Sequence, residues 1–134
     1  MIVDSSALVA ILLNEEDGDA LSVVLDGPEV VRMSAASYLE TSIVIDKFRD
    51  ASLSVSFDDM ILDSRIIIEP VTAEQARIAR QAYRDYGKGS GHAANLNFGD
   101  CFSYALARDK REPILFKGED FIHTDLRPAV NRQA

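Results

Sequence analysis

Cysteine and histidine are scarce in this sequence, and their scarcity removes several kinds of chemistry. The single Cys101 cannot form an internal disulfide, and its apolar setting in NFGDCFSYALA fits a small core residue. Two histidines, His92 and His123, leave no zinc pair; both fall in loop-like or turn-like stretches, which weakens a nuclease built on histidine acid/base catalysis. There is no Gly-x-Ser-x-Gly elbow, no Walker A loop and no dinucleotide fingerprint. No apolar run approaches the roughly 18 residues of a membrane span, and no basic start leads into an apolar signal core. The expectation is a soluble cytoplasmic protein with no membrane partner. Repeats, linkers and low-complexity tracts are also missing. With 134 residues of which 47% are hydrophobic, the chain is expected to form one domain over 1–134.

Positive charge is scarce too, but unevenly. The net charge of −8 argues, as an average, against a polyanionic partner. Residues 1–70 hold 4 basic and 14 acidic side chains, whereas residues 71–134 hold 10 basic and 8 acidic. A nucleic-acid surface is therefore expected in the second half. There the spacing of Arg77, Arg80, Arg84 and Lys88 places four cations on one face of a helix that would have to continue to residue 88. A solvated helix face explains the same spacing equally well. The stripe leads toward Asp100, which favours phosphate binding.

What is present in quantity is alternation. Short β-rich runs at 2–4, 30–34, 65–71 and in EPILFKG are separated by helical patterns at SSALVAILL, 15–27, 35–48, 56–64, Thr72 to Tyr86 and FGDCFSYALARDK. Ser5 or Ser6 is the expected cap of the first helix, and Thr72 with Gln75 forms a capping-box pattern. Alternating βα units predict an α/β fold with a parallel sheet covered by helices on both faces. In such a sheet, ligands bind beyond the carboxyl ends of the strands where strand order reverses.

Asp4 ends the first strand and so faces that crevice. Glu40 has Ala36, Ile43 and Val44 as its helical neighbours, and a charge on an apolar face needs a cation, either Lys47 or a metal. Asp100 falls at the third position of a helix that Asn97 is placed to cap, where helix-dipole complementarity is the simpler explanation. Asp120, with Glu119 beside it, follows the last strand. Acids gathered in one crevice repel one another and raise their pKa values unless a divalent cation compensates. Hard Mg²⁺ or Mn²⁺ suits carboxylate and phosphate oxygens, and the implied chemistry is phosphoryl transfer to water.

Taken in order, MIVDSSALVAILLNE, SAASYLETSIV, YGKG, LNFGDCFSYALA and PILFKGEDFIHTDL resemble the PIN-domain ribonucleases, and among them the VapC toxins of VapBC toxin–antitoxin pairs. The likeness spans nearly the whole chain. It implies an α/β/α sandwich, Mg²⁺- or Mn²⁺-dependent endonucleolytic cleavage of RNA such as tRNA or rRNA, a homodimer, and a VapB-type antitoxin that forms a hetero-oligomer with the toxin. Matched by position, the first acid is Asp4 with Ser6 as its supporting hydroxyl, the second Glu40 and the third Asp100. The family's fourth acid would fall at Gly118, so Asp120 or Glu119 substitutes or the site runs on three acids. Asp120 is favoured, since its side chain is shorter and Phe121 can anchor the turn. Relatives tend to carry Arg-His after YGKG, where this chain has Ser90, Gly91 and His92; one basic RNA contact is expected to be lost.

Three rivals stand beside this reading: a non-catalytic PIN domain that only binds RNA, a PIN-type nuclease acting on DNA, and a phosphatase of the haloacid-dehalogenase kind. The first would lose acids that are present here. The second shares the cluster, because metal-activated water needs no 2′-hydroxyl. The third wants a second aspartate two residues after the first, where Ser6 stands.

Overall fold

The computed structural model describes residues 1–130. The last four residues of the domain expected over 1–134 lie outside the described residues. Among the described residues, strands β1 (Ile2–Val3), β2 (Arg32–Ser34), β3 (Ile67–Glu69) and β4 (Ile114–Leu115) pair in parallel in the order β3-β2-β1-β4. Helices α1 (Ser5–Leu12), α2 (Gly18–Leu25), α3 (Ala35–Asp46), α4 (Ala51–Asp63), α5 (Ala73–Tyr86) and α6 (Phe98–Lys110) surround the sheet. A short 3₁₀ helix, Asp120–His123, follows β4. This is the expected α/β/α architecture. The chain moves outward from β1 to β2 to β3 and then returns to the other side of β1, so the order reverses between β1 and β4.

Alternation along the strands divides the core in two, since successive side chains point to opposite faces of a sheet. Val3 and Leu115 join Leu8, Leu21, Met33, Ile45 and Phe57 on one face. Ile2 and Ile114 join Leu96, Tyr104, Leu106, Phe116 and Phe121 on the other. Each fully buried leucine or isoleucine contributes about 1.5–3 kcal/mol by leaving water. The two layers therefore clamp β1 and hold the residue that follows it.

Several boundaries differ from expectation for local reasons. The cap of α1 is Asp4, not Ser5 or Ser6: its carboxylate accepts from the Ser6 amide at 3.0 Å. Helix α4 begins at Ala51 rather than 56 because Asp50 caps it, accepting from Ser52 and Leu53. The apolar run at 65–71 reads as a buried strand, yet β3 is an edge strand with Ile67 and Ile68 exposed. The other edge is covered, because residues 127–129 exchange backbone hydrogen bonds with Ile114. Thr72 caps α5 as expected, but Gln75 reaches Asp109 on α6 instead of closing the box. Helix α5 ends at Tyr86, so Lys88 lies beyond it.

Candidate metal and phosphate site

The order reversal places Asp4 at the crevice between β1 and β4. Its amide donates to Leu115 O at 2.9 Å, and its side chain is 1% exposed. Burying a carboxylate is costly unless its oxygens are satisfied. One oxygen takes the Ser6 amide and the other takes the Ser103 hydroxyl at 2.5 Å. Ser103 in turn lies 3.0 Å from the hydroxyl of Ser37. The chain Asp4–Ser103–Ser37 thus joins β1, α6 and α3 through groups that are all buried.

Support for Asp4 from a serine hydroxyl is real, but the serine is Ser103. Ser6 holds Asp4 through its backbone amide, while its hydroxyl accepts from the Lys117 amide at 3.0 Å. That second bond ties the start of α1 to the segment leaving β4, and Lys117 Nζ adds an ion pair to Glu15 at 3.2 Å.

Glu40 pairs with neither Lys47 nor another cation among the described residues. It accepts a hydrogen bond from Ser5 at 2.6 Å, one residue from Asp4. Gly99 is needed beside it, since a β-carbon there would overlap the Glu40 carboxylate. Asp100, the next residue, completes a full capping box: its backbone amide donates to Asn97 Oδ1 at 2.9 Å and its carboxylate accepts from the Asn97 amide at 3.0 Å. The helix-capping role expected from the sequence is therefore met by this side chain.

The carboxyl group of Asp100 is pushed up to about 7. Burial is the main cause, the bond from the Asn97 amide opposes it, and the negative charges of Asp4, Asp120 and Glu40 raise it further. Four acids from four separate elements thus act on one place. Of the acids after β4, Asp120 is among those whose charge raises Asp100. Gly118, at φ +98°, turns the chain in the left-handed region, and buried Phe121 packs edge-on against Phe116 to fix the turn that carries Asp120.

Among the described residues, no three or more histidine, cysteine or acidic side chains stand close enough together to hold a metal ion. The donor set nevertheless fits a hard divalent cation. It offers carboxylate oxygen alone, from acids that destabilise one another, and an ion that retains several waters does not need a tight protein cage. Asp4, Glu40, Asp100 and Asp120 are the residues that would hold such an ion. The histidines stand elsewhere: His92 packs against Tyr86 and accepts from the Ala94 amide, and His123 is exposed at the end of the 3₁₀ helix.

The cationic stripe divides. Arg77 is engaged by Glu74 on the same helix, and Arg84 is exposed. Arg80 and Lys88 line a groove that also includes Asn97, which brings these two cations beside the Asp100 capping box. Sequence reasoning missed Ser5, Ser37, Gly99 and Ser103. The available signals were helical: Ser103 stands three residues after Asp100, and Ser37 three before Glu40, each on the face of its acid. Replacing Ser103 with alanine is expected to leave one buried oxygen of Asp4 without its donor, costing about 1–3 kcal/mol of stability. Activity should fall by roughly 10–100-fold, as for other groups that orient a metal ligand. Thermal unfolding and initial cleavage rates check both effects.

Acids brought toward the reversal point of a parallel sheet stand where open α/β folds bind their ligands. A family model described as PIN domain matches residues 1–126, so the chain belongs to the PIN-domain family. Within it, the chain is 54% identical over 133 residues to Ribonuclease VapC28 of Mycobacterium tuberculosis, covering 99% of this chain and 100% of that one. It is 49% identical over 129 residues to Ribonuclease VapC42 of the same organism, covering 96% and 98%. Among solved structures, Mycobacterium tuberculosis VapC20, a sarcin–ricin-loop-cleaving toxin, superposes with a TM-score of 0.70 at 21% identity, covering 95% of this chain and 98% of that one. A toxin–antitoxin complex from Klebsiella pneumoniae gives 0.65 at 16% identity, covering 90% and 88%. At those identities the likeness is one of fold.

Proposed function

We propose that this chain is a Mg²⁺- or Mn²⁺-dependent endoribonuclease toxin of the VapC type, acting in the cytoplasm on structured RNA such as tRNA or rRNA. The observation that carries this reading is Asp100, a half-buried acid on which the charges of Asp4, Glu40 and Asp120 converge. Such a cluster is useful when a cation is present and costly otherwise. A bound divalent ion would lower the pKa of an attacking water and neutralise charge on the scissile phosphate.

The protein's own groups have separable tasks. Asp4 is held rigidly by Ser6 and Ser103 as the fixed reference of the site. Ser5 and Gly99 set the direction of Glu40. Asn97 positions Asp100 and keeps it from swinging away. Arg80 and Lys88 neutralise phosphates of the RNA flanking the scissile bond, and Arg77 and Arg84 extend that track along α5. Among the described residues, no helix is long and apolar enough to cross a membrane. The relatives' names as VapC ribonucleases and the fold shared with a toxin–antitoxin complex support an antitoxin partner, and the proposal includes a homodimeric, single-domain toxin. An acidic crevice is suited to occlusion by a basic side chain of that antitoxin.

Incubation of the purified chain with total RNA, sequence-matched DNA and a phosphomonoester, each with Mg²⁺ or excess EDTA, tests the reading. Cleavage of RNA in Mg²⁺ alone is expected. Cleavage of DNA at the same rate would make this a general nuclease, and hydrolysis of the monoester alone would make it a phosphatase.

The cationic track gives a second expected result. Arg80→Glu with Arg84→Glu should weaken RNA binding and flatten its dependence on salt by about 1–2 units of log–log slope, since each lost phosphate contact releases roughly 0.7 fewer counterions on a single strand. Fluorescence anisotropy across a salt series reads the slope.

A further inference from the structure

The groove that contains Arg80 and Lys88 is mostly apolar, with a volume of about 510 Å³, within the roughly 300–1,000 Å³ of clefts that hold small ligands. Its walls carry Tyr83, Phe98 and Phe102. Phe98 opens α6, two residues before Asp100, and is 80% exposed; Tyr83 is 48% exposed. Exposed aromatic rings are costly to hold in water, and both rings here are held. Phe98 packs edge-on against Phe102 with ring centres 5.0 Å apart. The Tyr83 hydroxyl donates to Lys88 O at 2.9 Å, and a β-carbon at Gly87 would overlap the Tyr83 ring and carbonyl, so glycine there lets the ring lie against the chain. Gly87 has φ −73°, which any residue adopts; the requirement is space. Neither Arg80 nor Lys88 forms an ion pair among the described residues.

Rigid exposed rings between unpaired cations are the elements of a single-strand nucleic-acid site, where bases stack on aromatics while cations follow the phosphates. Asn97 belongs to both this groove and the Asp100 capping box. We infer that the groove is a base-stacking subsite, in which an unpaired nucleotide adjoining the scissile phosphate stacks on Phe98 between Arg80 and Lys88. This rests on the nuclease reading and adds to it a requirement: the bond cut must lie beside an unpaired base. Charge decides the occupant. Two cations without ion pairs among the described residues favour a polyanion whose phosphates they draw in, and a purely apolar partner would leave them unused.

The test uses a short single-stranded RNA carrying one 2-aminopurine, with a matched duplex as control, titrated in EDTA against the wild type, Phe98→Leu and Phe98→Trp. Because Phe98 is exposed, neither change threatens the fold. Wild type and Phe98→Trp should quench the probe and bind it similarly, the duplex should bind more weakly, and Phe98→Leu should lose about 5–100-fold in affinity together with the quenching. Equal binding and quenching by Phe98→Leu would overturn the subsite. So would sedimentation showing that Phe98→Leu merely dissociates a self-associated form with a matching loss of binding, since the patch would then be a contact with a second copy. A wild type that cleaves RNA in Mg²⁺ but shows no stacking fails this inference alone, whereas one that neither binds nor cleaves RNA fails the nuclease reading itself.

Discussion

Asp100→Asn is expected to lower RNA cleavage by on the order of 10³-fold, because a metal-bound site supplies several kcal/mol of transition-state stabilisation and each 1.4 kcal/mol is a factor of ten. The same change should stabilise the metal-free protein at neutral and alkaline pH. The sign follows from linkage. The folded Asp100 titrates near 7 against an ordinary value of 3.8, so between those values the folded state binds more protons than the unfolded one. Stability from this group is therefore full below about 4 and is lost as pH rises through about 7. Asparagine carries no charge and removes that loss. Asp100 is only partly buried, so solvent screening reduces the gain to about 1–2 kcal/mol, or roughly 3–10 °C. Differential scanning calorimetry in EDTA from pH 5 to 8 should show a falling midpoint in the wild type and a flatter one in the variant. Mg²⁺ should then raise the wild-type midpoint at pH 8 and leave the variant's nearly unchanged. At limiting Mg²⁺, wild-type activity should rise with pH through about 7, as the proton ceases to compete with the ion.

Gly99→Ala should separate activity from stability in a different way. The added methyl group would overlap the carboxylate of Glu40, the far end of a flexible side chain, which can swing aside at small cost to the fold. In moving, Glu40 leaves the Ser5 hydroxyl and the crevice. Cleavage is expected to drop by roughly 10–100-fold, comparable to losing a group that orients a metal ligand, while the thermal midpoint shifts by only a few degrees. A near-normal rate would remove Glu40 from the site. A collapse of stability would show instead that the glycine serves backbone packing.

These results depend on parts of the molecule that differ in how far they can be read from sequence. Asp4 and Asp100 were legible because each sits at a signal of chain geometry, the end of an apolar strand and the third position after a capping asparagine. Helix α6 appears over the range its pattern indicates, since Asn97 and a run of core residues point the same way. The serines were not legible. A hydroxyl on a helix looks the same whether it faces water or a buried carboxylate, and only the packing of α6 against β1 and α3 shows that Ser103 meets Asp4 and Ser37. Gly99 was hidden for a related reason, because its role is the space it leaves for a side chain 59 positions away. The stripe on α5 misled in part: Lys88 shares a groove with Arg80 although the helix ends at Tyr86, because the loop folds back and Tyr83 fixes it. The exposure of β3 depends on strand order, which periodicity does not contain.

Identifying the ends left on cleaved RNA is the most direct test of the central claim, that carboxylates holding a divalent ion deliver water to the phosphate. Products made in Mg²⁺ should carry 5′-phosphate and 3′-hydroxyl groups, and none should form in excess EDTA. Products ending in 2′,3′-cyclic phosphate, or cleavage that persists undiminished in EDTA, would contradict the account.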